Sequence, residues 1–206
     1  MKPKIIAVFL LLSVAISCQT NNKPKTMSTN LETATLAGGC FWCLEAAYDR
    51  LKGVENVQSG FANGHTENPS YKEVCTGETG HAEVVQITYE PSQIDFKTLL
   101  EVFWVLHDPT QLNRQGEDIG TQYRSGIFYE SPAQKTEAEQ SMQNSIARGD
   151  YDKPYVTIIE PLKAFYPAED YHTDYYQLHQ TQPYCSAVIA PKMQKFQAKF
   201  KELLKD

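Results

Sequence analysis

The sequence has no excess of basic residues, since 19 Lys and Arg stand against 25 Asp and Glu in 206 residues, a formal net charge of -6. Binding to a nucleic-acid backbone requires a basic surface, so this composition argues against that class of partner. No segment repeats with a period of 20–50 residues, which excludes a solenoid. The longest apolar run, residues 5–16, is shorter than the about 20 residues of a transmembrane helix.

Cysteine is scarce as well, with five residues in the chain. Apart from Cys18, they are Cys40, Cys43, Cys75 and Cys185, too few for a disulfide framework in a domain of this size. A zinc site usually needs about four ligands in two short-spaced pairs, and the sequence has a single C-x-x-C and no H-x-x-x-H. We therefore expect no metal site, and we interpret the cysteines as reactive groups and their neighbours.

The beginning of the sequence is typical of an export signal. Lys2 and Lys4 precede the apolar run, and Ser17-Cys18 follows it. A cysteine directly after a small residue resembles the bacterial lipoprotein signal, in which that cysteine is acylated and becomes the new N-terminus. We expect the following segments: a signal peptide over residues 1–17, an acylated Cys18 with a flexible tether over 18–30, and a folded domain over 31–206.

These segments place the domain in the bacterial cell envelope. The lipid on Cys18 would hold it to a membrane, on the periplasmic side.

The hydrophobic pattern alternates between strands and helices. Strands are expected over 33–37, 54–61, 82–89, 125–130 and 155–160. Helices are expected after Cys40, Asp95 and Ser131 and from Pro191, and irregular segments over 62–81, 109–124 and 161–186. This order predicts an α/β or α+β two-layer sandwich with extensive coil and an irregular C-terminal segment.

Residues 38–54 read GGCFWCLEAAYDRLKGV, which places Cys40 at the start of a predicted helix. The helix N-terminus, the flexible glycines and a second thiol at Cys43 all favour a reactive thiolate, so we expect a lowered pKa at Cys40. A thioredoxin-like disulfide exchanger also carries C-x-x-C between a strand and a helix, although we identify no proline to face the cysteines. Two ordinary cysteines in a helix and its cap are the third interpretation.

The motif G-G-C-F-W-C-x-E resembles the active-site motif of the A-type peptide methionine sulfoxide reductases. Six further blocks resemble family blocks in the family order: GFANGH (60–65), NPSY with VC (68–75), TGHAE (79–83), HDPT (107–110), DIGTQYRS (118–125) and AEDYH (168–172). The resemblance covers residues 33–186. It implies a two-layer sandwich of ferredoxin-like type and a monomeric enzyme.

The resemblance also implies a reaction. Cys40 attacks the sulfoxide sulfur of the S epimer of methionine sulfoxide, free or in oxidised proteins, and becomes a sulfenic acid as methionine leaves. A second thiol condenses with it to a disulfide, which thioredoxin or a thioredoxin-like donor reduces. Sulfur carries both electrons, so no cofactor is needed.

Other family positions match further side chains of this sequence. The matches are Glu83 as the proton donor, Tyr71 and Tyr123 as hydrogen-bonding phenols, Asp118 in support of this polar cluster, and Phe41 and Trp42 as walls of the pocket for the sulfoxide methyl group. A carboxyl must be neutral to donate a proton, so we expect burial to raise the pKa of Glu83. His172 is expected to have a structural or positioning role.

The cysteines depart from the family pattern. Many members have Gly in place of Cys43 and keep resolving cysteines near the C-terminus. We expect Cys43 to resolve the sulfenic acid, because it lies one helical turn from Cys40. Cys185, in the stretch PYC, is a candidate recycling thiol, and Cys75 is expected to be a small buried hydrophobe.

Two other functions remain open. An exported thiol–disulfide oxidoreductase would use the Cys40 and Cys43 pair, and its activity would hardly depend on Glu83. A non-catalytic lipoprotein would bind oxidised or Met-rich peptides without removing oxygen. The reductase would depend on both Cys40 and Glu83, and outside the cytosol its electrons would come from a membrane relay or a periplasmic thioredoxin-like protein.

Overall fold

The computed structural model describes residues 30–205. The expected signal peptide, Cys18 and all but the last residue of the expected tether lie outside the described residues. Within 30–205, no helix combines the length and the apolar character that crossing a bilayer requires.

Eight strands and six α-helices form the described part of the chain. The strands are β1 (Glu32–Gly38), β2 (Val54–Ala62), β3 (Ala82–Tyr89), β4 (Arg114–Gln115), β5 (Asp118–Ile119), β6 (Ser125–Tyr129), β7 (Ile158–Pro161) and β8 (Phe165–Pro167). The α-helices are α1 (Phe41–Tyr48), α2 (Tyr71–Val74), α3 (Phe96–Leu106), α4 (Pro132–Arg148), α5 (Tyr175–Leu178) and α6 (Ala190–Lys199). A π-helical turn, Cys185–Ile189, leads directly into α6.

Six strands form one sheet in the order β7-β6-β1-β3-β2-β8. The four central strands pair antiparallel, and α1 and α3 connect them in the order β-α-β-β-α-β. This is the ferredoxin-like arrangement, so the predicted sandwich is confirmed. At one edge β7 runs parallel to β6, and at the other β8 runs antiparallel to β2.

Alternation along β3 decides which side chains face the helices. Val85 and Ile87 belong to the large apolar cluster that also contains the buried faces of α1 and α3, whereas Ala82 and Val84 belong to a smaller cluster on the other face. Glu83 has the same parity as Val85, so its carboxyl points toward α1. The hydroxyl of Tyr48 on α1 donates a hydrogen bond to the Leu99 carbonyl on α3 (2.9 Å), which joins the two helices.

The predicted helix caps are present. The Asp95 carboxylate accepts a hydrogen bond from the Thr98 amide (2.8 Å) at the start of α3. Ser131 caps α4 ahead of Pro132, and Gly149 ends that helix with a left-handed backbone (φ +69°).

The expected strand over 155–160 begins later than predicted, at Ile158. The Val156 amide donates to the Pro109 carbonyl (2.8 Å), so this part of the chain bonds to the loop after α3 rather than to the sheet. The segments expected to be irregular contain short elements: α2 in 62–81, the β4–β5 pair in 109–124, and β8 and α5 in 161–186. Each is too short to show a periodic pattern in the sequence.

Candidate active site

Cys40 lies at the turn between β1 and α1. Gly39 has φ +87°, and a Cβ on it would lie 2.6 Å from Cβ of Gln115, so the turn requires a glycine. Cys40 is the N-cap residue of α1, yet its side chain makes no capping hydrogen bond. The thiol is therefore not occupied in helix capping. Only 5% of the residue is exposed.

Glu83 forms a hydrogen bond with the N-terminal turn of α1, directly after Cys40. Its Oε2 accepts a hydrogen bond from the Phe41 amide (3.1 Å), one of the free N–H groups of the first turn. The side chain is buried, and burial, followed by the nearby Cys40, raises the pKa of the Glu83 carboxyl well above its usual range. A raised pKa favours the protonated carboxyl, the form that can donate a proton beside the thiol, and the role of Glu83 as the acid stays a prediction.

The pKa of the Cys40 thiol differs from the sequence expectation. Burial raises the pKa of Cys40, and Cys43 adds to the rise, so the expected lowering by the helix N-terminus is outweighed. The hydrogen bond that Cys43 receives from Cys40 lowers the pKa of Cys43, and the charge of Lys192 lowers it further. Both contributions favour a thiolate at Cys43.

An aromatic cluster surrounds the first two residues of α1, Phe41 and Trp42. The indole Nε1 of Trp42 donates a hydrogen bond to Nδ1 of His172 (3.1 Å), and the Trp42 ring stacks on Tyr175 with centroids 3.8 Å apart. The Phe41 ring is buried and lies 5.0 Å from the His172 ring and 6.1 Å from the Tyr71 ring. Trp42 is partly exposed whereas Phe41 is buried, so Trp42 is the ring of the two that a ligand can contact from solvent.

Tyr71 and Tyr123 lie within the electrostatic reach of Glu83. Burial, and then the charge of Glu83, raise the pKa of each phenol, so both keep their protons and can donate hydrogen bonds. The backbone amide of Tyr71 donates to Glu169 Oε1 (3.0 Å), which fixes the start of α2 against the aromatic cluster.

Tyr184 is a site residue that the sequence analysis missed. Its hydroxyl donates to Asp118 Oδ2 (2.6 Å), and its proximity to Cys40 offsets part of the rise in the pKa of that thiol. Asp118 is thus bonded to a phenol beside the thiol, and its supporting role stays a prediction. Tyr184 lies in the stretch PYC, which indicated a role for Cys185 but carried no separate signal for the tyrosine.

Cys185 and Cys75 differ in exposure. Cys185 is fully buried at the start of the π turn. Burial, and then the charge of Cys40, raise the pKa of Cys185, and the influence of Cys40 places it near the active thiol. Its recycling role stays a prediction. Cys75 is exposed, so the expectation of a buried hydrophobe was wrong. It caps the C-terminus of the four-residue helix α2, a position at the surface, and its thiol is hydrogen-bonded with Tyr71.

The site residues predicted from the sequence thus lie together. They are Cys40, Cys43, Glu83, Tyr71, Tyr123, Phe41, Trp42 and Asp118. Within the described residues, no three His, Cys, Asp or Glu side chains form a group able to hold a metal ion. The fold and the site together define an α+β enzyme that works through its thiols.

Comparison with known proteins identifies the family. The family model "Peptide methionine sulfoxide reductase" matches residues 32–204. The chain is 52% identical over 176 residues to the peptide methionine sulfoxide reductase MsrA of Chromobacterium violaceum, covering 85% of this chain and 100% of the relative. The chain belongs to the peptide methionine sulfoxide reductase family.

Solved structures agree in fold. The crystal structure of reduced Mxr1 from Saccharomyces cerevisiae matches with a TM-score of 0.69 at 38% identity, over 75% of this chain and 89% of that chain. Methionine sulfoxide reductase A of Corynebacterium diphtheriae matches with a TM-score of 0.70 at 36% identity, over 74% and 76% of the two chains.

Proposed function

We propose that the protein reduces the S epimer of methionine sulfoxide, free and in oxidised proteins, to methionine at Cys40. The observation that carries the proposal is the buried Glu83, whose carboxyl accepts a hydrogen bond from the first turn of the helix that Cys40 begins and whose pKa is raised by burial. The similarity of the chain to peptide methionine sulfoxide reductases does not favour a simple thiol–disulfide exchanger.

In the first step, Sγ of Cys40 attacks the sulfoxide sulfur while Glu83 protonates the oxygen. The oxygen then passes to Sγ, which gives a Cys40 sulfenic acid and methionine. The proton lost by the Cys40 thiol restores the Glu83 carboxyl. The sulfoxide sulfur gains two electrons and the Cys40 sulfur loses two.

The polar side chains stabilise the charge that develops on the oxygen. Tyr71 and Tyr123 hold their phenolic protons and act as donors once the sulfoxide is bound. The rings of Trp42 and Phe41 provide the apolar contact for the methyl group on sulfur.

In the second step, the Cys43 sulfur attacks the Cys40 sulfenic acid, a Cys40–Cys43 disulfide forms and water leaves. Cys43 lies one helical turn from Cys40, and its amide donates to the Cys40 carbonyl (3.1 Å). A thioredoxin or thioredoxin-like dithiol then supplies two electrons and two protons, with Cys185 as the candidate recycling thiol.

The setting of this reaction belongs to the same proposal. A monomeric enzyme, anchored in the bacterial cell envelope by a lipid on Cys18, would repair oxidised proteins on the periplasmic side. The N-terminal sequence pattern supports this location. Globomycin-sensitive acylation and membrane fractionation, with Cys18→Ser as the control, test it; a soluble, unacylated full-length product would contradict it.

A single-turnover assay tests the activity. The reduced protein without residues 1–18 is mixed with the S and R sulfoxides of a blocked methionine, and methionine is quantified. In the first turnover we expect one equivalent of methionine from the S epimer alone, released before any disulfide forms, and none from Cys40→Ser. No methionine, together with rapid reduction of insulin, would instead identify a disulfide exchanger.

A further inference from the structure

The ammonium group of Lys192 faces the buried thiol pair. Its Nζ lies 4.0 Å from Sγ of Cys43, and Lys192 is only partly exposed. Pro191 places Lys192 in the first turn of α6, and the buried side chains of Met193 and Phe196 anchor that helix in the main core. The packing of α6 thus holds Lys192 close to Cys43.

The other titratable groups around Cys43 carry no positive charge. They are Cys40 at the start of α1, Glu83 on β3, Asp118 on β5 and Tyr184 before the π turn. Asp118 and Glu83 disfavour a thiolate at Cys43, whereas Lys192 favours it. Among residues 30–205, no carboxylate forms an ion pair with Lys192, so its charge is not neutralised by such a partner there.

The chemistry of the second step makes this charge important. The resting Cys43 is also stabilised by a hydrogen bond from the Cys40 thiol. That thiol proton is gone once Cys40 has become a sulfenic acid. The positive charge of Lys192 persists, and it therefore still favours the Cys43 thiolate at the moment when Cys43 must attack.

We propose that Lys192 is a further catalytic residue, whose ammonium group stabilises the Cys43 thiolate during its attack on the Cys40 sulfenic acid. This inference rests on the proposed function. The S–S bond forms as the S–O bond of the sulfenic acid breaks, and the hydroxide released takes up the proton that Cys43 gave to solvent. No external oxidant or reductant enters this step.

The test follows the two steps separately in one turnover. Reduced protein is mixed with one equivalent of the S sulfoxide; methionine reports the first step, and trapping of the sulfenic acid by dimedone with mass spectrometry reports the second. The variants are Lys192→Met and Lys192→Arg, with Lys195→Met as the control from the exposed side of α6.

We expect Lys192→Met to slow disulfide closure about three- to tenfold more than it slows methionine formation, because a lower thiolate fraction is partly offset by higher nucleophilicity. The pH at which closure is half-maximal should rise in that variant and return toward the original value in Lys192→Arg. Lys195→Met should match the unmutated protein in both steps.

Closure in Lys192→Met at the unmutated rate and with the unmutated pH profile would overturn the inference. So would peptide mapping that finds a first disulfide between Cys40 and Cys185, since Cys43 would not be the attacking thiol. Absence of methionine in the unmutated protein would be a different result, because it would refute the proposed function itself.

Discussion

Glu83 on β3 accepts a hydrogen bond from the backbone amide of Phe41 (3.1 Å), so the carboxyl is held at the first turn of the helix that Cys40 begins. Glu83→Gln keeps a carbonyl oxygen for this bond but has no acidic proton to transfer. We expect the single-turnover rate of methionine formation at neutral pH to fall about 10²- to 10³-fold. Rapid quenching and chromatography measure it.

The thermal midpoint of Glu83→Gln is the control for folding and should change little, since the amide replaces a neutral carboxyl. In the unmutated protein, methionine formation should decline as pH rises through the raised pKa of Glu83, because the carboxylate cannot donate. That alkaline decline should be absent in Glu83→Gln. A rate within twofold of the unmutated protein would refute the role of Glu83 as the acid.

Much of the fold was predictable because its elements carry local signals. Alternation marks β3, and Asp95, Ser131 and Gly149 mark the ends of α3 and α4. The strand β8 carries no such signal, because its three residues exist as a strand only through pairing with Gly60–Ala62 of β2. A Cβ on Gly60 would lie 2.4 Å from the Phe165 ring, a close approach visible only in three dimensions.

The site residues that lie in recognisable sequence motifs were predictable, and the others were not. Cys40 and Glu83 lie in distinct blocks, but the contact of Lys192 with Cys43 spans 149 positions and belongs to no motif used in the sequence analysis. The pKa of Cys40 was predicted wrongly for a related reason. The helix N-terminus can be inferred from the sequence, whereas the desolvation that outweighs it depends on the packing of distant segments over the thiol.

Substitutions of Cys43 and Cys185 should impair different steps of the reaction. Cys43→Ser should still form methionine in the first turnover, because Cys40 and Glu83 are intact, but should accumulate the sulfenic acid. Cys185→Ser should form methionine and close the Cys40–Cys43 disulfide, and lose rate only in turnover with a thioredoxin-like reductant. Peptide mapping after one turnover identifies the pairs. Loss of the first disulfide in Cys185→Ser, with retention in Cys43→Ser, would exchange the two roles.

The Trp42–His172 bond (3.1 Å) should couple the pocket wall to the segment before α5. His172 is buried, and burial lowers its pKa, so Nδ1 stays available as an acceptor at neutral pH. His172→Phe leaves the indole N–H unpaired, and we expect a rise in KM for the sulfoxide and a loss of about 1–3 kcal/mol in the free energy of unfolding.

A double-mutant cycle with Trp42→Phe isolates this bond from the packing of the rings. The coupling between the two substitutions should be about 0.5–1.5 kcal/mol in urea denaturation. Strictly additive effects would show that the hydrogen bond contributes nothing beyond the ring contacts.

Gly39 should tolerate no side chain. Gly39→Ala combines the strain of φ +87° with a Cβ 2.6 Å from Gln115, whose amide bonds in both directions to the Asp108 backbone. We expect a loss of more than about 2 kcal/mol in the free energy of unfolding. Gly149→Ala is the matched control, since φ is +69° there and nothing lies within 4 Å. Equal losses in the two variants would mean that backbone strain alone matters.

Glu45 on α1 provides a test of stability against pH. Burial raises the pKa of its carboxyl to about 7, although the Asp174 backbone amide donates to it. The usual value is 4.5, so between about pH 4.5 and 7 the unfolded chain has lost a proton that the folded chain retains. The contribution of Glu45 to stability is therefore greatest at acid pH, declines across that interval and is constant above it.

Glu45→Gln removes this decline and keeps an oxygen for the Asp174 amide. Because one pKa unit corresponds to about 1.4 kcal/mol and nearby solvent screens part of the effect, we expect the variant to gain about 1–3 kcal/mol over the unmutated protein at about pH 8, and little at about pH 4.5. Urea denaturation at both pH values measures the difference, with the exposed Glu55→Gln as the control. A gain of the same size at both pH values would show that removal of the charge is not its cause.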